Sequence, residues 1–271
     1  LEYSFQRKML DKEFRAEFVR LRAAPVPKPA LIGSAPAAGN KPVAKASLTA
    51  NISKEPNGDV LIKSVPMVDQ GPKGYCVVAT AERVFRYLGL NVDQHEMAAI
   101  ADSSASGGTS PGKMVDNLKL LTGRLKIRIR ELQPWKYDEF QRMVADYNRA
   151  AKKNKKREIN LDGMTTIDIG EIYASLDAES LKQSRALPGK GAYSKFQRAV
   201  TDTIARGVPL MWSCQLGLYP ETERTSQTNG GHMRLIIGYN LQAGEVIFSD
   251  SWGEKHAVKR MPMDNACAMT T

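Results

Sequence analysis

The chain has 271 residues, of which 42% are hydrophobic and 25% charged, so it can form one large folded domain or two small ones. This composition excludes a disordered or fibrous protein. The net charge of +10 favours contact with anionic surfaces or polymers. The excess is concentrated in residues 113–158, which hold 14 Lys and Arg against six Asp and Glu. No apolar run approaches the roughly 20 residues of a membrane-spanning helix, so we expect no membrane span.

The first 50 residues predict two segments that precede the main domain. Residues 1–23 carry Phe, Met and Leu at helical spacing, which predicts an amphipathic N-terminal helix. Residues 24–50 are rich in Pro and Ala and predict a semi-rigid linker. We therefore place the folded domain at residues 51–271. Because the chain begins at Leu1, a targeting segment upstream would be invisible, and export to the cell envelope stays open.

Within the domain, the predicted helices come first and the predicted strands last. A turn at Gly74 leads into an amphipathic helix with Cys76 in its first turn. Residues 136–157 predict another helix, and the alternation at residues 125–129 predicts a strand. Three short apolar or alternating runs follow at residues 208–216, 232–239 and 246–251. This segregation predicts an α+β fold.

Cys76 is the candidate nucleophile. The positive end of a helix dipole and an imidazolium partner together lower a Cys pKa from about 8.5 to roughly 3–4. Gln70 lies six residues earlier, and its side-chain NH2 and the Cys76 N–H could hold an oxyanion from two directions. The candidate base is His232, which follows a Gly-rich turn at a strand start. On the next strand, Asp250 can accept from the His232 ring and fix its tautomer.

Three motifs resemble those of the papain-like cysteine peptidases. They are the spacing Gln70-Gly71-x-x-Gly74-x-Cys76, the strand start Gly231-His232 and the turn Asp250-Ser251-Trp252-Gly253. With the lead-in of residues 65–70, the chain is most similar to a bacterial branch that resembles bacteriocin-leader (double-glycine) peptidases. The resemblance implies a papain-like α+β fold, in which an N-terminal helical half carries the Cys helix and a C-terminal half forms an antiparallel β-sheet.

The resemblance also implies a role for each motif residue. It makes Cys76 the nucleophile, Gln70 the oxyanion donor, His232 the general base and acid, and Asp250 its orienting partner. It places four residues along the substrate cleft, namely Gly74, Tyr75, Gly231 and Trp252. Of these, Trp252 would shield the His–Asp contact from water. The residues after the nucleophile, Val77 and Val78, differ from the small residue and Trp of the archetype, so substrate specificity does not transfer.

The expected reaction is hydrolysis of a peptide or protein substrate through a thioester on Cys76. No metal or organic cofactor is implied, and no nucleic acid partner is expected. Two alternatives stay open: acyl transfer or amidase chemistry on the same triad, and a catalytically silent papain-like binding scaffold. The sequence does not give the oligomeric state.

Four other features are interpreted as structural. We expect Cys214 to be a core strand residue and Cys267 to belong to a loose tail. His256 is interpreted as a surface histidine. The basic run 152–157 is typical of the solvated end of a helix, where cations also suit the helix dipole.

Overall fold

A computed structural model describes residues 45–71, 74–90, 98, 115–116, 127–164, 167–221 and 229–271. These residues belong to one compact unit, Asn40–Thr271. The predicted N-terminal helix at residues 1–23, and the predicted linker up to residue 44, lie outside the described residues.

Both helices and strands are present in the described part of the chain. Its α-helices are α1 (Lys45–Ala50), α2 (Cys76–Tyr87), α3 (Tyr137–Lys153), α4 (Ile169–Ser175), α5 (Ala178–Arg185), α6 (Gly191–Ile204) and α7 (Met263–Met269). Its strands are β1 (Ile52–Lys54), β2 (Asp59–Ile62), β3 (Leu210–Leu216), β4 (Gly230–Asn240), β5 (Glu245–Ser249) and β6 (Lys259–Pro262). The predicted α+β class is confirmed. None of the described helices is both long and apolar enough to span a membrane.

The strands form one antiparallel sheet around the long strand β4. The order is β1-β2-β4-β5-β6, and β3 also pairs with β4. The first half of β4 pairs with β3, which sets His232 opposite Cys214, and its last residues pair with β2. At Gly238 a Cβ would come within 2.5 Å of the Val60 carbonyl oxygen, so only glycine lets β2 approach β4 this closely.

Helices cover both faces of the sheet. Met233 packs with the apolar side of α2, which carries Val77 and Val78. Ile236, on the opposite face of β4, belongs to a larger core that includes residues of α3 to α7, such as Tyr147. Because neighbouring residues of a strand point to opposite faces, β4 contributes to both cores.

The structure differs from the predicted elements in three places. Residues 127–129, the described part of the strand predicted at residues 125–129, have no regular secondary structure. Ile127 and Ile129 are half-buried against the α2 core, so their alternation reflects one-sided burial without strand pairing. Strands β1 and β2 precede α2, so the expected order of helices before strands is wrong there.

The third difference concerns the end of the predicted linker. Lys45–Ala50 form α1, and Leu48 is buried in the larger core. A Cβ at Gly207, where φ is +69°, would come within 2.1 Å of the Leu48 carbonyl oxygen. This close approach shows that the residues of α1 pack as part of the compact unit.

Candidate active site

Cys76 is the first residue of α2, and its side chain is half-buried. The helix begins after Tyr75, whose side chain makes no capping hydrogen bond, so the helix start depends on packing. Its buried face, which includes Val77 and Phe85, packs against the sheet. The N–H groups of the first helical turn are therefore directed to the end of the helix at which Cys76 stands.

His232 and Asp250 come together on the sheet. His232 lies near the start of β4, and Asp250 directly follows β5. The His232 Nε2 atom lies 3.4 Å from Asp250 Oδ1, and both side chains are fully buried. This distance exceeds the usual range of an N–H···O hydrogen bond, so the contact is a close charge pairing.

Trp252 covers the imidazole of His232. The two rings are stacked with their centroids 4.2 Å apart and an interplanar angle of 9°. On another side, Trp252 meets the ring of His256 edge-on, with centroids 5.8 Å apart. His256 is half-buried by this packing, so its interpretation as a simple surface histidine is incomplete.

The thiol of Cys76 and the imidazole of His232 stabilise each other's charged forms. Burial opposes ionisation of Cys76, but the neighbouring His232 with its positive charge and the N–H groups of Met233 and Val77 outweigh it and lower the thiol pKa. Burial likewise opposes the charge on His232, but Asp250 and Cys76 outweigh it and raise the imidazole pKa. The two shifts have the signs that a thiolate–imidazolium pair requires.

Gln70 lies close to the turn that carries Asp250. It is buried, and its backbone N–H donates to the carbonyl oxygen of Ser251 at 2.9 Å. The next residue, Gly71, has a φ of +64°, and its N–H donates to the Asp69 carboxylate at 2.9 Å. This tight turn redirects the chain towards α2, so the segment before Cys76 is anchored to the sheet.

The remaining predicted cleft residues lie next to these groups in the sequence. Gly74 and Tyr75 are half-buried immediately before Cys76. Gly231 is exposed on β4 beside His232, opposite Gln215 of β3. The structure thus places Gly74 and Tyr75 in the segment just before α2, and Gly231 at the start of the strand that carries His232.

Sequence reasoning missed the buried ions around Asp250. Arg234 Nε lies 2.8 Å from Asp250 Oδ1, and Lys259 Nζ lies 3.2 Å from Oδ2. Both cations also contact Glu221. His232, Arg234 and Lys259 together lower the Asp250 pKa against the effect of burial. Arg234 stands within the apolar run Met-Arg-Leu-Ile-Ile, a pattern that could have indicated a buried charge with a partner.

Arg83 is a second buried cation that the sequence did not single out. From α2 its Nε donates to the Pro66 carbonyl oxygen at 2.8 Å, and its other nitrogens donate to the hydroxyls of Ser249 and Ser251. Burial lowers its pKa to about 10. Arg83 therefore ties the Cys helix both to the segment before Gln70 and to the strand end at Asp250.

The two other cysteines are buried structural residues. Cys214 is fully buried in β3, which confirms its interpretation as a core strand residue. Cys267 lies in α7 and is 2% exposed, so the expectation of a loose tail is wrong, because α7 packs into the larger core. The described residues contain no cluster of three or more His, Cys, Asp or Glu side chains that could hold a metal ion.

The α+β fold is consistent with that of the papain-like cysteine peptidases. The model of the Peptidase C39-like family matches residues 62–270, and the chain belongs to this family. The resemblance predicted from the three motifs is thereby confirmed at the level of the family. No curated protein matches the chain.

Proposed function

We propose that the protein is a cysteine peptidase with the catalytic triad Cys76, His232 and Asp250. The observation that carries the proposal is that His232, whose Nε2 faces the buried carboxylate of Asp250, lowers the pKa of the Cys76 thiol. This order of nucleophile, base and orienting acid is what nucleophilic catalysis requires. Membership of the Peptidase C39-like family supports the same class of reaction.

In the proposed reaction, the Cys76 thiolate attacks the carbonyl carbon of a peptide bond. The backbone N–H of Cys76 and the side-chain amide of Gln70 stabilise the oxyanion that forms. His232 faces Asp250 through Nε2, which leaves Nδ1 to donate a proton to the leaving amine. The same nitrogen then takes a proton from the water that hydrolyses the thioester.

The proposed substrate is a peptide or protein segment that lies across the start of α2 and the start of β4. Gly74 and Tyr75 would line it on the helix side, and Gly231 on the sheet side. Trp252 would shield the His232–Asp250 contact from water, a role that its stacking on the imidazole supports. A dry contact strengthens the interaction between the two charges.

The first test is the pH dependence of alkylation of Cys76 by iodoacetamide. The parent chain carries Cys214→Ala and Cys267→Ala, and it is compared with the same chain carrying His232→Ala. We expect rapid labelling well below the pKa of an ordinary thiol, and a shift of the labelling profile to higher pH without His232. His256→Ala is the matched control, because it removes the other ring that contacts Trp252.

Labelling that titrates near pH 8.5 and is the same with and without His232→Ala would contradict the proposal and favour a catalytically silent scaffold. A peptide library assay then separates the two enzymatic possibilities. Free carboxylate products indicate hydrolysis. Products joined to an added amine indicate acyl transfer from the same thioester.

A further inference from the structure

Four charged side chains form a closed ring beneath the candidate triad. Asp250 contacts Arg234 through Oδ1 at 2.8 Å and Lys259 through Oδ2 at 3.2 Å. Glu221 Oε2 closes the ring, at 2.9 Å from Arg234 Nη2 and 2.7 Å from Lys259 Nζ. The four residues come from β4, β6, the end of β5 and the segment after β3. We call this set the charge ring.

The charge ring is buried against aromatic side chains. Arg234 and Asp250 are almost fully buried, and the Glu221 side chain, the most accessible of the four, is 15% exposed. The Arg234 guanidinium lies 4.5 Å from the Phe248 ring centroid and also faces Trp212. Such buried ions cost desolvation energy and add little net stability over apolar side chains of similar size. Stability alone therefore does not account for the ring.

The geometry around Asp250 indicates what the ring does. His232 Nε2 is 3.4 Å from Asp250, too far to anchor the carboxylate by a hydrogen bond. Arg234 is closer to the same oxygen, and Lys259 engages the other. The two cations thus hold both oxygens of Asp250 in place, and they add to the effect of His232 in keeping this carboxylate ionised.

We propose that Arg234, Lys259 and Glu221 are positioning residues that hold Asp250 beneath His232 and set the pH range in which the Cys76–His232 pair is charged. This inference rests on the proposed function. The two carboxylates and two cations of the ring balance each other, so Asp250 orients the imidazolium without a net negative charge from the ring. Removing one charge from the ring must therefore change the electrostatic potential at the pair.

Charged and titratable groups on other elements also surround the pair, and they stay unchanged in the test. From α2 this is Arg83, from β3 Cys214, and from the turn after β5 Glu254 and His256.

The test uses two variants that change the ring charge in opposite directions. Glu221→Gln removes one negative charge, so the net charge of the ring becomes +1. This charge stabilises the Cys76 thiolate and destabilises the His232 imidazolium. Both limbs of the pH profile should then move to lower pH, by roughly 0.5–1.5 pH units. Lys259→Met removes one positive charge, so both limbs should move to higher pH. The profile is measured for alkylation of Cys76 and for kcat/KM.

Matched controls carry the same chemical changes away from the ring. Glu245→Gln alters a carboxylate that contacts Arg260, and Lys54→Met alters an exposed lysine of β1. Neither control should move the limbs. A third variant, Arg234→Lys, keeps the charge but loses the forked guanidinium. It should leave both limbs in place and lower kcat about tenfold.

Shifts in the same direction in Glu221→Gln and Lys259→Met, or lost activity with unmoved limbs in these two variants, would overturn the proposal. Glu221→Gln exchanges only one oxygen for nitrogen. If Lys259→Met does not fold, the direction of the shift in Glu221→Gln is sufficient to test the proposal. A parent chain with an ordinary Cys76 thiol would instead contradict the proposed function itself. The two failures are therefore distinguishable.

Discussion

Cys76 stands on a helix whose buried face is apolar, whereas His232 and Asp250 stand on a sheet among buried charges. On the helix side, a turn and the packing of Val77 and Phe85 suffice to present the thiol. On the sheet side, Asp250 lies in a ring of four ions from separate elements. The nucleophile thus depends on local structure, and its partner depends on the tertiary fold.

This difference separates two kinds of perturbation. Changes on the helix side should remove or displace the nucleophilic thiol itself. Changes on the sheet side should affect the orientation of the imidazole and the pH range of the pair. The predictions below test this separation, in order of decreasing effect.

The largest effect is expected from replacement of the nucleophile. Cys76→Ser should lower kcat/KM by a factor of about 10³ or more, because a hydroxyl is far less ionised than the thiol that it replaces. The melting temperature should stay within a few degrees of the parent, because the side chain is half-buried and the change is nearly isosteric. Activity that survives in Cys76→Ser but is lost in Cys267→Ala would place the nucleophile elsewhere.

Arg83 is an exception to this difference between the two sides, because it is a buried charge on the helix side. Arg83→Met should reduce the free energy of unfolding by about 2–4 kcal/mol, because it leaves the Pro66 carbonyl and two serine hydroxyls without their donor. Chemical denaturation measures this change. The control Arg142→Met removes an exposed guanidinium paired with Asp138 and should cost no more than about 0.5 kcal/mol. Equal losses in both variants would show that Arg83 does not tie the two sides together.

The residues of the candidate triad could be predicted from the sequence because their signals are local. The turn at Gly74, the apolar periodicity after Cys76 and the glycines before His232 each lie within a few residues of the group they position. The structure has α2 and β4 at these places. Asp250 was predictable for the same reason, since the turn that follows β5 carries its own motif.

The charge ring could not be predicted in the same way. Glu221, Arg234 and Lys259 are separated in the sequence and meet only after β4 and β6 have paired with β5. Each resembles an ordinary surface charge when it is considered alone, apart from the apolar neighbours of Arg234. The prediction of a strand at residues 125–129 was wrong for a related reason, because one-sided burial gives the same alternation of residues as a paired strand.

Loss of the Trp252 ring should have an intermediate effect. Trp252→Ala removes the stacked cover of His232 and admits water to the His232–Asp250 contact. We expect kcat/KM to fall roughly 10- to 100-fold, which is at or below the lower end of a general acid–base contribution, because His232 is still present. Trp252→Phe should restore part of the activity. Trp135→Ala, which removes a ring that is 54% exposed, is the control and should leave activity unchanged. If Trp252→Ala left kcat/KM unaltered, the ring would serve packing alone.

The smallest effect is expected at Cys214, although it lies opposite His232 in the sheet. Burial raises the pKa of this thiol to about 12, whereas the pKa of Cys76 is lowered. The contrast arises because His232 and the N–H groups of Met233 and Val77 stabilise the Cys76 thiolate, whereas burial dominates at Cys214. Cys214→Ala should change kcat/KM less than about twofold, and native labelling at pH 7 should stay at one thiol per chain. Labelling of Cys214 as fast as that of Cys76 would mean that proximity to His232 alone activates a thiol, and the helix side would then have no special part in preparing the nucleophile.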